Sequence, residues 1–186
     1  MRLSHTIRTG SDTGHSGGDA AARGALPGLA SRPDIRRHEP QMLDLKTKID
    51  RLRQCEVFAP LSPDDLEKAA ARFDAYMVAK GDLIVHQDDD SDPSVYVLTA
   101  GRAHVYRSLA IGDEVPVRDL DPGETIGEMN FFSHGPSAGP RSASVRALTD
   151  CEVLRISYAG FGELLEAAPA LASGFLAVVS ERLSDT

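Results

Sequence analysis

Two short segments bring together the residue types that can bind a small anion. The first reads Gly127-Glu128-Met129-Asn130, and the second reads Pro-Arg-Ser-Ala-Ser-Val over 140–145, with Arg141 as its second residue. A glycine lets the backbone approach a ligand, and the N–H groups of a short helical turn after it point toward a small anion. The planar guanidinium of Arg141 can hold a phosphate through two parallel hydrogen bonds. These types and spacings predict a phosphate site.

The remaining polar groups narrow the kind of ligand. Glu128 is an acceptor, which suits a hydroxyl group rather than a phosphate. Ser142 adds a hydroxyl, and Ala143 adds a backbone donor. One arginine, one carboxylate and a set of amides fit a singly charged phosphate joined to a sugar.

Two other patterns match chemical motifs but lack the structural context that those motifs need. Gly14-His15-Ser16-Gly17-Gly18 matches the nucleophile elbow of serine hydrolases, but that motif works only between a strand and a helix, and its flanks here are rich in Gly, Ser and Ala. Asp88, Asp90 and Asp92 resemble the start of a calcium-binding loop, but Pro93 occupies the position of the required glycine. We interpret these aspartates as a solvated turn.

The sequence predicts neither a metal site nor a catalytic centre. His86, His104 and His134 fall on separate predicted elements. Cys55 and Cys151 are far apart, which excludes a disulfide framework, favours a reducing cytoplasm and predicts two small buried residues. No paired carboxylates or Cys/His arrangement supports catalysis, so we expect no enzyme and no cofactor.

Apolar periodicity predicts one amphipathic helix before the site. Met42, Leu45, Ile49 and Leu52 recur at helical spacing within 41–54. The stripe is too short for a stable coiled coil, so this helix should pack on its own domain or on a second copy of the chain.

Helices also flank a long β region. Ser62 should cap a helix that has Pro63 at its first position and runs to about Phe73. Short apolar runs separated by turn signals follow over 74–156. A helix over 158–167 and another from Pro169 close the chain, the last with an apolar stripe of Leu171, Phe175, Leu176, Val179 and Leu183. The predicted fold class is mainly β with flanking helices: an antiparallel, jelly-roll-like β-roll of about eight short strands.

Composition separates a tail from the domain. The 186 residues carry a net charge of −8, but 1–38 hold six arginines and three aspartates, a net of +3. With few apolar residues this segment should be disordered. The other residues carry 14 basic and 25 acidic groups, a net of −11, which disfavours binding to nucleic acid. We divide the chain into a disordered tail (1–38), an amphipathic linker helix (39–57) and one domain (58–186), with neither a secretion signal nor a membrane span.

The two site segments resemble the phosphate-binding cassette of the cyclic nucleotide-binding domain family. That family includes catabolite-activator-type regulators, regulatory subunits of cyclic-AMP-dependent kinase and gated ion channels. Its pattern is Gly-Glu, small apolar residues, a loop, and Pro-Arg-(Ser/Thr/Ala)-Ala-(Ser/Thr)-Val, similar to 127–129 and 140–145 here. The resemblance extends from Phe58 to Arg182-Leu183 and includes the helix–roll–helix order.

The resemblance implies a role for each position. Arg141 would pair with the cyclic phosphate, and Glu128 would accept from the ribose 2′-hydroxyl. Amides would complete the cradle around Gly127, Met129, Ser142 and Ala143. In the family, a threonine at the position of Ser142 is associated with a preference for cyclic GMP. The serine here therefore favours cyclic AMP. The last helix would act as a lid.

Three features depart from the family pattern. The loop over 133–139 is longer than usual and could displace Arg141 or bulge into solvent. Asn130 replaces a small residue and could crowd the sugar or add a hydrogen bond. Phe175 is the one aromatic candidate to cover the base. These features sustain an alternative, a degenerate domain that binds no nucleotide and serves as a protein-interaction scaffold.

The leading hypothesis is a cytoplasmic regulatory domain that binds cyclic AMP, or else cyclic GMP. Neither a DNA-binding module nor a channel or kinase segment is recognised in the sequence. We therefore expect it to switch a protein partner in trans, such as a transporter or enzyme, through movement of the lid helix. A homodimer is compatible with the helices at both ends. A hydrolase built on Ser16 is the third hypothesis, and deletion of 1–38 would test it.

Overall fold

The structure, a computed structural model, describes residue 35, residues 38–137 and residues 139–184. Most of the predicted disordered tail lies outside these residues. Ile35 and His38 are described: Ile35 is 2% exposed, and the His38 Nε2 atom lies 3.5 Å from a carboxylate oxygen of Asp82. The end of the segment that we assigned to the tail therefore packs on the domain.

The first helix, α1, spans Leu45–Arg53 and is shorter than predicted. The side chain of Asp44 accepts a hydrogen bond from the Thr47 backbone at 2.8 Å, which satisfies one of the free amides at the helix start. Before this cap, Gln41 pairs with Ala75 as an isolated β-bridge, and Met42 is fully exposed. The prediction of a helix from Gln41 with Met42 on its buried face was therefore wrong.

Helix α1 packs on its own domain. Lys48 donates to the carbonyl of Phe73 at 2.6 Å, and Arg51 pairs with Glu152 at 2.8 Å. A short 3-10 turn over Glu56–Phe58 and helix α2 over Pro63–Ala70 follow. Ser62 caps α2 through the Asp65 amide, as predicted, but α2 ends three residues before Phe73.

Eight antiparallel strands form the β-roll in the described part of the chain, as predicted. The strands are β1 Asp74–Val78, β2 Leu83–Val85, β3 Ser94–Ala100, β4 Ala103–Ser108, β5 Glu114–Leu120, β6 Thr125–Ile126, β7 Ser144–Ala147 and β8 Cys151–Ser157. One sheet has the order β1-β8-β3-β6 and the other the order β2-β7-β4-β5. Helix α3, Glu128–His134, lies between β6 and β7.

The central strands are buried on both faces, which explains their nearly continuous apolar sequence. Along β3, Tyr96 and Leu98 belong to the core inside the roll, whereas Val95 and Val97 belong to the core beneath the helices. Successive side chains of a strand point to opposite faces, so β3 separates two cores. Its first residues border the predicted phosphate site.

Two helices complete the fold: α4, Tyr158–Ala167, and α5, Pro169–Ser184. Leu171 and Phe175 of α5 are completely buried, as the stripe predicts, but Leu176 is 56% exposed. One residue corresponds to about 100° of rotation around a helix, so Leu176 cannot share the buried face of Phe175. Within the described residues, no single helix is long and apolar enough to cross a membrane; α4 and α5 together pass that test but are bent by 118°.

Candidate functional site

Gly127 occupies a position that only glycine fits. Its φ is +90°, a conformation that other residues adopt at a cost, and it immediately precedes α3. A Cβ atom at Gly127 would contact the guanidinium of Arg141 and lie 2.8 Å from the carbonyl oxygen of Ser94. The two predicted segments therefore meet here, because the Arg141 side chain fills the space that a larger residue would need.

Helix α3 brings the first segment to the same place. Glu128 is 1% exposed, Asn130 is 9% exposed and Met129 is half-buried. The Asn130 side-chain amide donates to the carbonyl of Gly139 at 2.7 Å. This hydrogen bond ties α3 to the end of the loop over 133–139, just before the second segment.

The long loop folds back on α3. It includes a 3-10 turn over Gly135–Ser137, and Gly139 lies so close to the His134 ring that a Cβ atom there would be 2.9 Å from ring carbons. Ala138 lies outside the described residues. With this loop in place, the Arg141 guanidinium lies beside Gly127.

The second segment is held by its backbone. The Arg141 N–H donates to the carbonyl of Asp89 at 3.1 Å, and the Asp88 N–H donates to the carbonyl of Arg141 at 2.9 Å. Ser142 is exposed and Ala143 is half-buried, so both can face a ligand. The buried Ser144, which the sequence analysis did not select, accepts from the Gln87 backbone at 2.9 Å and anchors the segment instead.

The guanidinium of Arg141 is buried among uncharged acceptors. It is 5% exposed, and its Nη2 atom donates to the carbonyls of Asp92 at 2.5 Å and Ser94 at 2.8 Å. Its Nη1 atom donates to the Tyr158 hydroxyl at 3.0 Å. Each of these three acceptors is an uncharged oxygen. A buried guanidinium whose hydrogen bonds go to neutral oxygens is suited to bind an anion.

The carboxylate of Asp92 serves a different arginine. It accepts from Arg155 at 2.7 Å, from the Ser94 hydroxyl at 2.8 Å and from the Tyr96 hydroxyl. Burial acts to raise the pKa of Asp92, but these hydrogen bonds and the charge of Arg155 outweigh it, and the pKa is lowered. The carboxylate of Asp92 thus neutralises Arg155. From Asp92, Arg141 has only the backbone carbonyl as a hydrogen-bond acceptor.

The interpretation of a solvated aspartate turn was wrong for Asp92, which is 9% exposed. Its side chain points into the protein because Tyr96 and Arg155 on neighbouring strands supply donors. Across the part of the chain that the structure describes, no group of three or more His, Cys, Asp or Glu residues could hold a metal ion.

Sequence reasoning missed Tyr158, the first residue of α4. Its hydroxyl donates to the carbonyl of Gly127 at 2.8 Å while it accepts from Arg141, whose Cζ atom lies 5.5 Å from the ring centroid. The side chain is buried, and this burial raises the pKa of Tyr158, so the hydroxyl stays protonated at neutral pH. The sequence did offer one signal: a tyrosine at the start of an apolar helix. A buried tyrosine hydroxyl usually has a hydrogen-bond partner, so Tyr158 could have been considered as a polar contact of the site.

Aromatic rings connect α3 with both C-terminal helices. The Phe131 centroid is 5.3 Å from that of Tyr158 and 4.9 Å from that of Phe161, which in turn is 4.9 Å from that of Phe175. Phe175 is completely buried in this cluster. In this conformation it is a core residue and does not face the site, contrary to the role considered for it.

Comparison with known proteins gives consistent results. The cyclic AMP receptor protein of Thermus thermophilus is 28% identical over 129 residues, 69% of this chain and 57% of that protein. The chain therefore spans little more than half the length of this relative. The crystal structure of the Thermus thermophilus catabolite activator protein superposes with a TM-score of 0.62 and 28% identity, covering 70% of this chain and 59% of that one.

A second solved structure is matched over nearly its whole length. The N-terminal domain of a transcriptional regulator from Streptomyces coelicolor A3(2) is 30% identical with a TM-score of 0.57, covering 73% of this chain and 93% of that chain. Residues 77–168, which contain both site segments, match the family model of the cyclic nucleotide-binding domain. The fold, the paired segments around Gly127 and Arg141, and these matches show that the chain belongs to the cyclic nucleotide-binding domain family.

Proposed function

We propose that this domain binds a cyclic nucleotide, cyclic AMP in preference to cyclic GMP, in the cassette formed by 127–130 and 141–143. The observation that carries the proposal is the Arg141 guanidinium, 5% exposed, which lies beside Gly127 and has only uncharged acceptors. A ligand phosphate would supply the missing negative charge and accept two parallel hydrogen bonds from this side chain.

The other site residues support recognition of a sugar phosphate. Glu128, on the opposite segment and buried, can accept from a ribose hydroxyl. Ser142 and Ala143 can contribute a hydroxyl and backbone N–H groups next to Arg141. The preference for cyclic AMP rests on the serine at position 142, by resemblance to the family.

The proposed output is regulatory rather than catalytic. Tyr158 and the aromatic rings connect the cassette to α4 and α5. A movement of the Arg141 side chain can therefore be transmitted to these helices through direct contacts. We propose that ligand binding moves these helices and alters contact with a protein partner in the cytoplasm. Free, buried thiols at Cys55 and Cys151 are compatible with that compartment.

Isothermal titration calorimetry with cyclic AMP and cyclic GMP tests the proposal. We expect the wild type to bind cyclic AMP with a micromolar or lower Kd. Arg141→Ala should weaken binding by roughly 30-fold or more, since removal of a buried charged partner costs about 2–5 kcal/mol.

Arg146→Ala is the matched control. Arg146 lies on β7, five residues from Arg141, and its side chain pairs with Glu114 and the ring of Tyr106. This variant should bind as the wild type does, and thermal melts should show that both variants fold. Absence of binding by the wild type at millimolar nucleotide would refute the proposal and favour the scaffold alternative.

A further inference from the structure

The hydroxyl of Tyr158 bridges both halves of the cassette and belongs to neither. It donates to the carbonyl of Gly127 at 2.8 Å and accepts from Nη1 of Arg141 at 3.0 Å. The ring is 1% exposed and packs against Phe131 of α3. A single hydroxyl group thus connects the start of α4 to the glycine and the arginine of the anion site.

The backbone of Tyr158 fixes this residue to the same region. Its N–H donates to the carbonyl of Pro93 at 2.7 Å, and the carbonyls of the residues on either side, Asp92 and Ser94, accept from Arg141. The side chain of Ser157 caps α4 through the Gly160 amide at 3.1 Å. The first turn of α4, the loop before β3 and the cassette therefore share one hydrogen-bond network centred on Arg141.

A phosphate cannot bind Arg141 in two-point fashion without changing this network. A guanidinium has two edges that hold an anion through two parallel bonds, and each edge uses a hydrogen of Nη2. Nη2 carries two hydrogens, and it donates to the carbonyls of both Asp92 and Ser94. At least one of these internal bonds must break when the phosphate binds. A phosphate on the edge formed by Nη1 and Nη2 also takes a hydrogen of Nη1, the atom that donates to Tyr158.

We infer that the Tyr158 hydroxyl and the ligand phosphate compete for Arg141, so that ligand binding releases the first turn of α4 from the cassette. This inference rests on the proposed function and adds a specific coupling residue to it. Tyr158 is a positioning residue: it holds Arg141 against internal acceptors in the absence of ligand. Its bond to Gly127 keeps α4 docked until Arg141 changes partners.

The test is Tyr158→Phe, which keeps the ring and removes the bridging hydroxyl. With one internal acceptor lost, cyclic AMP should bind about 10- to 150-fold more tightly than to the wild type by calorimetry, the value of about one hydrogen bond to a charged group. A merely structural role would lower the melting temperature without tightening the binding.

Tyr106→Phe is the matched control. The Tyr106 hydroxyl accepts from Arg146 at 2.7 Å, and that guanidinium lies 4.4 Å from the ring centroid, so this is a second Tyr–Arg pair away from the cassette. Its affinity for cyclic AMP should equal that of the wild type.

Amide hydrogen exchange measures the release of α4 directly. In the wild type, cyclic AMP should speed exchange in the first turn of α4. Tyr158→Phe should show the faster exchange without nucleotide, and cyclic AMP should add no further increase. Residues 45–53 of α1 serve as the internal reference, since they contact neither Arg141 nor Tyr158 through any bond that the structure records among the described residues.

The outcomes separate the two proposals. Tighter binding by Tyr158→Phe, including binding by this variant when the wild type binds nothing, supports the competition. Equal or weaker binding by the variant beside a wild type that binds would overturn this inference and leave the proposed function intact. Absence of binding by both proteins would overturn both.

Discussion

Replacement of Gly127 by alanine tests the geometry of the site with a single methyl group. At φ +90°, an added Cβ would contact the Arg141 guanidinium and lie 2.8 Å from the Ser94 carbonyl oxygen. Heavy atoms this close must move apart. The carbonyl belongs to the start of β3 and is held by the sheet, so the guanidinium is the group that we expect to be displaced.

The expected cost has two parts. An L-residue in the left-handed region costs about 1–2 kcal/mol. Displacement of the guanidinium breaks at least one of its hydrogen bonds to Tyr158, Asp92 or Ser94, and a hydrogen bond to a charged group contributes about 1.5–3 kcal/mol. We therefore expect Gly127→Ala to lower the free energy of unfolding by roughly 3–5 kcal/mol in total.

Gly81→Ala separates the two parts. Gly81 has a φ of +92°, but a Cβ atom added there would meet no heavy atom within 4 Å. Only the backbone cost applies. Gly127→Ala should melt lower than Gly81→Ala by roughly 3–12 °C, since the extra cost of about 1.5–3 kcal/mol corresponds to about 2–4 °C per kcal/mol for a protein of this size. Scanning calorimetry measures this difference, and calorimetric titration should show weaker cyclic AMP binding for Gly127→Ala alone. Equal melting temperatures for the two variants would refute the close packing of Arg141 against Gly127.

Two further predictions concern stability. Because folding lowers the pKa of Asp92 below its ordinary value of 3.8, its ionised form stabilises the fold above that pH, and this contribution is lost as the pH falls through the lower folded pKa. In urea unfolding between pH 6 and pH 3, the free energy of unfolding should decrease less with falling pH for Asp92→Asn than for the wild type. Equal decreases in the two proteins would contradict this role of Asp92. Phe175→Ala should cost about 3–5 kcal/mol because the ring is completely buried, whereas Leu176→Ala, at a side chain 56% exposed, should cost under about 1 kcal/mol. If urea unfolding showed similar losses of stability for the two variants, the burial of Phe175 and the exposure of Leu176 on α5 would be contradicted.

The order of elements was predictable because its signals are local. Ser62 and Pro63 mark the start of α2, and the interval from Tyr158 to Ala167 was predicted with the bounds that the structure shows. The two-residue strand β6 was not among the apolar runs, since two residues carry no periodicity. The start of α1 was misplaced because the prediction followed the apolar spacing from Met42 and did not consider Asp44 as the cap.

The sequence indicated which residue types form the candidate site, but it did not indicate the hydrogen bonds that these residues make. Gly127, Glu128 and Arg141 do converge, as the two segments indicated. The burial of Arg141 against carbonyl groups could not be predicted, because backbone carbonyls are present at every position and leave no trace in the residue types. Tyr158 was missed for the same reason: its role depends on a hydroxyl whose partners lie in other segments.

The sequence by itself determined the β-roll with its flanking helices, the cap of α2, and the residue types of the two segments around Gly127 and Arg141. These features follow from periodicity, caps and side-chain chemistry, which act over a few residues. Only the tertiary structure decided which acceptors surround Arg141, because they lie 49 and 47 residues before it and 17 residues after it in the chain. Packing of the roll against α4 brings these distant groups together and places Tyr158, the first residue of α4, beside Gly127 and Arg141.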